Sequence, residues 1–190
     1  MAYIHLNNNL PGIRGLLIDH PATGVPLLQL ADALLQHTSE LSKGERELIA
    51  TYVSSQNDCQ FCQLSHGAAA AHHLNATLGE IDSLKKDMQH SPLVSDKLKS
   101  LLHIAGKVQQ SGKAVTQQDI DAAKDLGATD NEIHDTVLIA AAFCMFNRYV
   151  DGLHTHSPAD PEVYRDASKR MAEQGYMRKE LLDLMSKQEA

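Results

Sequence analysis

The sequence predicts an all-α protein, and three features carry that expectation. Ala, Leu, Gln, Lys and Glu recur throughout in helix-forming company. Aromatic residues make up only 4% of the chain and Trp is absent. Three times, a Ser or Thr followed three residues later by Glu opens a stretch with apolar residues at helical spacing. With 190 residues and 43% hydrophobic composition, the chain is long enough to bury roughly 70% of its unfolded surface in one domain.

Residues 1–25 hold Pro11, Gly12, Gly15, Pro21 and Gly24, too many breakers for a regular element, and are expected to form an extended arm. Ile4, Leu6, Leu10, Ile13 and Leu16–Ile18 give this arm an apolar side that packs on its own domain or on a neighbouring subunit. Leu27 to Gln36 forms a first packing helix. Ser42 with Glu45 caps the second, which runs through Leu48, Ile49, Tyr52 and Val53. Asn57 and Asp58 are good N-cap residues and would place Cys59 in the first turn of an Ala-rich helix ending at Leu74. Thr77 with Glu80 opens a short helix to Met88, and Ser91-Pro92 interrupts the chain. Ser95 to Gln110 follows, with Gly112 beyond its end, and then a helix capped by Thr116 runs to about Leu126. Thr129 with Glu132 starts the longest apolar helix, Asn131 to about Leu153, expected at the centre of the core. After Pro158 and Pro161, residues 162–174 and 178–188 read as polar helices with sparse apolar positions. The expected division is therefore an arm over 1–25, a helical domain over 26–156, and C-terminal helices over 157–190 that serve packing or oligomerisation.

The formal charge of −7 and pI near 5.8 provide no basic field, which argues against a nucleic-acid partner. The helix–turn–helix outline of Asp119–Phe143 is opposed by Asp130, Glu132 and Asp135, which would put negative charge at the groove. The longest apolar run, Val137–Phe146, is far short of the ~20 residues of a membrane helix, and no basic-then-apolar leader opens the chain. A soluble, cytoplasmic protein without membrane association is expected.

The chemistry concentrates in Ser42–Leu74. Cys59 and Cys62 form a C-x-x-C pair, His66 follows Cys62 by four residues, and Glu47 precedes Cys59 by twelve. At about 100° per residue, Cys59, Cys62 and His66 fall within roughly 60° around one helix axis. Backbone N–H groups and the helix dipole at the first turn favour a thiolate at Cys59, while the carboxylate of Asp58 opposes it. An odd count of three cysteines without secretory context points to redox or metal chemistry and not to a disulfide framework. His73 lies on the same stripe and would complete two thiols and two imidazoles for zinc, but ligands along one straight helix do not converge tetrahedrally. Cys144, in AAFCMFN, reads as a small buried hydrophobe. Asn147 and Arg148 read as helix-terminal polarity or a subunit contact.

Glu47, Cys59-x-x-Cys62 and His66 at these spacings resemble the alkylhydroperoxidase AhpD-like, carboxymuconolactone decarboxylase family of small all-helical oligomers. The opening PGIRGLLIDHPATGVPLLQLADALL, the SKGERELIATYVSSQNDCQFC block, LGATDNEI and FNRYVDGL are similar to its peroxidase-related branch, from about Ile4 to about Leu153. The resemblance implies an AhpD-like helical bundle, a homo-oligomer, and reduction of a hydroperoxide substrate with the help of a dithiol or protein reductant. It also implies Cys62 as attacking thiolate, Cys59 as resolving thiol, and Glu47 and His66 as a proton relay, with no cofactor and no metal. The chain departs from the best-understood members at Phe61, where they place a histidine. Lactone decarboxylation within the same family does not call for a dithiol.

The spacing of the thiols predicts that mild oxidant forms a Cys59–Cys62 disulfide and leaves Cys144 free. Peptide mapping of alkylated protein checks this, and Cys144 in the major disulfide would remove the C-x-x-C pair as the redox centre.

Overall fold

The computed structural model describes residues 2–187, and among them every regular element is helical. The helices are α1 (Ile13–Asp19), α2 (Pro21–Leu35), α3 (Lys43–Gln56), α4 (Gln60–Leu74), α5 (Leu78–Lys86), α6 (Asp96–Gln110), α7 (Gln117–Asp125), α8 (Asp130–Gly152), α9 (Glu162–Gln174) and α10 (Lys179–Ser186). A single 3-10 turn at Gly112–Ala114 joins α6 to α7.

Local chemistry sets most of the boundaries. At α3, α5, α7 and α8 the carboxylate of Glu45, Glu80, Asp119 or Glu132 accepts from the backbone N–H of the capping Ser42, Thr77, Thr116 or Thr129. The helix exits are equally regular. Asp58, Asn75, Gly127 and His154 all have φ between 50° and 88° and close α3, α4, α7 and α8. In each case the following N–H reaches back five residues, as in Cys59 N–H to Ser54 O at 3.0 Å and Ala128 N–H to Ala123 O at 2.9 Å. Asn57 and Asp58 therefore end α3 and do not begin α4. The N-cap of α4 is Cys59 itself.

The extended arm is shorter than the breaker count suggests. It covers residues 2–12, after which α1 and α2 are regular helices. Pro21 occupies the first position of α2, where its missing N–H costs nothing, and exposed Pro26 frees a carbonyl on the water side. Gly24 serves close approach: a Cβ there would lie 2.2 Å from the carbonyl oxygen of Leu17, letting α1 and α2 touch.

The apolar faces of α2, α3, α4, α6 and α8 close on one core that includes Leu35, Leu48, Ile49, Leu101, Leu102, Ile139 and Phe143. Helices α3 and α4 pack as a hairpin, and α8 lies across α3 and α6, the central place expected of the longest apolar helix. The C-terminal helices are integral: α9 packs along α4, α10 rests on α1 and α2, and Tyr176, Leu181 and Met185 join the core. No helix among the described residues is long and apolar enough to cross a membrane.

Gly24→Ala is expected to destabilise the fold by about 1–3 kcal/mol, because the methyl meets a main-chain oxygen that cannot move aside. Urea midpoints of the two proteins check the value.

Candidate active site

The turn between α3 and α4 places the first thiol. With Asp58 in the left-handed region, the chain reverses in two residues and delivers Cys59 to the start of α4, its N–H bonded to Ser54 O. A polar chain behind the turn holds it against α8. Asn57 Nδ2 donates to Asn147 Oδ1 at 2.8 Å, Asn147 Nδ2 donates to Ser54 Oγ at 3.1 Å, and Gln109 Nε2 donates to Asn57 Oδ1 at 2.9 Å. Asn147 is only 1% exposed, so its role is this internal anchor and not helix-end polarity. Cys144 is half-buried beside the same chain, its sulfur 3.6 Å from Asn57 Nδ2.

Glu47 is wholly buried in α3, where its residue type alone would suggest a solvated surface. Its two oxygens are both engaged. Oε2 lies 2.8 Å from His66 Nδ1, and Oε1 accepts from the Tyr176 hydroxyl at 2.7 Å. The same hydroxyl is 3.2 Å from His66 Nδ1, so the three groups form a closed cluster. Beside a carboxylate, Nδ1 carries the ring proton, which leaves Nε2 as the nitrogen that exchanges protons. Nε2 makes no hydrogen bond among the described residues. The ring meets Phe143 edge-on at 4.6 Å and lies nearly parallel to Tyr176 at 6.1 Å, which fixes its orientation.

Tyr176 enters from the turn between α9 and α10. Gly175, with φ of 79°, allows this, because a Cβ there would lie 2.8 Å from Asp32 Oδ1. That same oxygen accepts the Tyr176 N–H at 2.8 Å. On α9, Ser168 Oγ donates to Ser65 O at 2.7 Å and pins the helix to α4. Burial first, and then the charge of Glu47, push the Tyr176 phenol well above its ordinary value. It stays a donor.

Cys59 and Cys62 are free thiols, 0% and 2% exposed. Although Cys59 stands at a helix start, it is not exposed: Phe61, Val150 and Tyr164 close around the pair. The Cys59 thiol is pushed above its ordinary range. Cys62 at hydrogen-bonding range, burial, and the charges of Cys62 and Asp151 all favour its neutral form. Phe61, between the cysteines, tilts against Tyr164 at 5.8 Å, and Gly12 of the arm lies flat on its ring. The arm is held there by Gly12 N–H to His156 O at 2.8 Å.

A mostly apolar cavity of about 120 Å³ opens beside the cluster, lined among others by Phe61, His66, Tyr164, Met171, Tyr176 and Leu181, with Arg14 and Arg178. Of the four residues singled out from sequence, the fold joins Glu47 to His66 directly and Cys59 to Cys62. His66 stands one helical turn beyond Cys62 on α4, with no hydrogen bond between them. Among the described residues no three His, Cys, Asp or Glu side chains converge on one point. His73 sits at the far end of α4 with Nε2 buried and unpartnered. Tyr176 and Tyr164 were missed from sequence, since both lie in the stretch read as polar packing helices. Neither carries a local signal, because the site groups each one meets lie far away in sequence.

Residues 21–88 match the model of the carboxymuconolactone decarboxylase family. No curated protein matches the sequence. Among solved structures, the chain is similar to the alkylhydroperoxidase AhpD core, an uncharacterized peroxidase-related protein from Ralstonia eutropha JMP134, at 25% identity over 82% of each chain with a TM-score of 0.74. An uncharacterized peroxidase-related protein from Silicibacter sp. TM1040 shares the fold at 24% identity, covering 82% of this chain and 78% of that one, with a TM-score of 0.69.

Because the folded-state phenol of Tyr176 is raised above the ordinary value near 10, its contribution to stability is complete below about pH 10 and lost as pH rises further. Denaturant midpoints are expected to fall above that pH. Tyr176→Phe is expected to fall less steeply, while losing about 1–3 kcal/mol at neutral pH as Glu47 is left one donor short.

Proposed function

For an AhpD-like chain whose residues 21–88 match the carboxymuconolactone decarboxylase family, we propose a thiol-dependent peroxidase that reduces organic hydroperoxides. The observation that carries this reading is a buried dithiol on the same helix as an imidazole whose Nδ1 is fixed by a buried carboxylate and a phenol. In the proposed cycle His66 Nε2 takes the Cys62 proton. The thiolate attacks the terminal hydroperoxide oxygen, the O–O bond breaks, Cys62 becomes the sulfenic acid, and His66 returns the proton to the departing alkoxide, giving the alcohol. Glu47 and Tyr176 hold the imidazolium in between. The Cys59 thiol then condenses with the sulfenic acid, forming the disulfide and releasing water, and an external dithiol reductant restores both thiols.

Position supports this division, since Cys62 stands one helical turn before His66 while Cys59 caps the start of α4. Phe61 stands where a relay histidine would be, and its ring forms an apolar wall of the cavity, which suits an organic and not an inorganic peroxide. Lactone decarboxylation would leave the dithiol without a task. Homo-oligomerisation belongs to the same proposal: Leu138 and Met145 leave an apolar stripe on the outer face of α8, 41% and 44% exposed.

Cysteine replacements separate the roles. Cys62→Ser is expected to consume no peroxide in rapid mixing without reductant, whereas Cys59→Ser reacts once and stops at a sulfenic acid trapped by a dimedone-type reagent. A burst retained in Cys62→Ser and lost in Cys59→Ser would reverse the assignment.

A further inference from the structure

Arg14 of α1 and Arg178 at the start of α10 line the cavity that also exposes His66, and neither makes an ion pair among the described residues. Both are half-buried, and in both the Nε–H is shut off from water with no acceptor. The two guanidinium groups act on each other, and Arg170 of α9 adds a third positive charge to both. No carboxylate lines the cavity. Glu180 acts on Arg178 from nearby but is not paired with it. Two partly desolvated like charges held together without a counter-ion are costly, and each unpartnered buried donor adds to that cost. An anion in the cavity offsets the like-charge cost, and a planar carboxylate matches the guanidinium fork.

From this arrangement we infer that Arg14 and Arg178 form an anion subsite that selects hydroperoxides carrying a carboxylate on a small apolar body. The inference rests on the peroxidase reading of the same site. The cavity volume of about 120 Å³ sets the size of that body. Closed apolar cavities of about 150 Å³ accept a benzene ring, and this smaller one is open at its mouth, so it holds a short alkyl chain or part of a single aryl ring. Its carboxylate faces the arginines while Phe61 and Leu181 contact the hydrocarbon. Arg14 and Arg178 come from elements outside residues 21–88, which match the family model.

Two measurements test it. The first compares kcat/KM of the unmodified protein for 4-carboxycumene hydroperoxide and its methyl ester. The acid is expected to be preferred about ten- to a hundredfold, the effect of hydrogen bonds to a charged group. Arg14→Gln and Arg178→Gln should each erase most of that preference, read as the ratio of acid to ester kcat/KM within each variant. The second measures 4-isopropylbenzoate binding calorimetrically, with its methyl ester as control. Equal use of acid and ester by the unmodified protein overturns the anion subsite whatever the variants do, and so does benzoate binding that is indifferent to both substitutions. If neither hydroperoxide is reduced yet benzoate binding still requires both arginines, the subsite stands and the peroxidase reading falls.

Discussion

Everything at the centre of this molecule depends on keeping a carboxylate in the dark. Glu47 has no exposed surface, and an ion removed from water needs partners that replace its hydration. Those partners lie on different elements. His66 is carried by α4, the other half of the hairpin with α3, and Tyr176 arrives from the far end of the chain. The hairpin packing, the Gly175 turn against Asp32 and the Ser168–Ser65 clasp each have a geometric task in bringing these groups to one carboxylate. The arrangement also orders the chemistry. A histidine fixed through Nδ1 presents Nε2 alone, and a thiol one turn away on the same helix has a fixed relation to it.

How much of this could be read in the residues follows from the range of each interaction. Helix starts were legible because Ser42, Thr77 and Thr129 satisfy their helices within three residues, and all three capping boxes form. The C-x-x-C and its histidine were legible for the same reason, as they share one helix. Asn57-Asp58 was misassigned because these residue types serve both helix ends: an Asp that could cap α4 instead takes the left-handed turn that closes α3. The N-terminal breakers misled in a related way. Pro21 at a first position and Gly24 at a close contact are compatible with helix, and composition does not separate those uses from a loop.

The site was half legible. Glu47 and His66 were named from spacing, and the fold brings them to 2.8 Å. Tyr176, Tyr164 and the two cavity arginines left no local pattern, because their partners lie far away in sequence and on other helices. The burial of Cys59 was likewise a matter of what folds over it. Position at a helix start does not reveal that Phe61, Tyr164 and Val150 cover that end.

The turn carrying Tyr176 has a consequence for the order in which the protein becomes competent during its own synthesis. Tyr176 lies 129 positions after Glu47 and 110 after His66. Both cysteines, the histidine and the glutamate therefore leave the ribosome long before the phenol that completes their cluster, and before Tyr164 covers the thiols. A nascent chain extending only to α8 carries the dithiol with neither its cover nor its complete hydrogen-bonded support. The assembled centre therefore marks a finished fold.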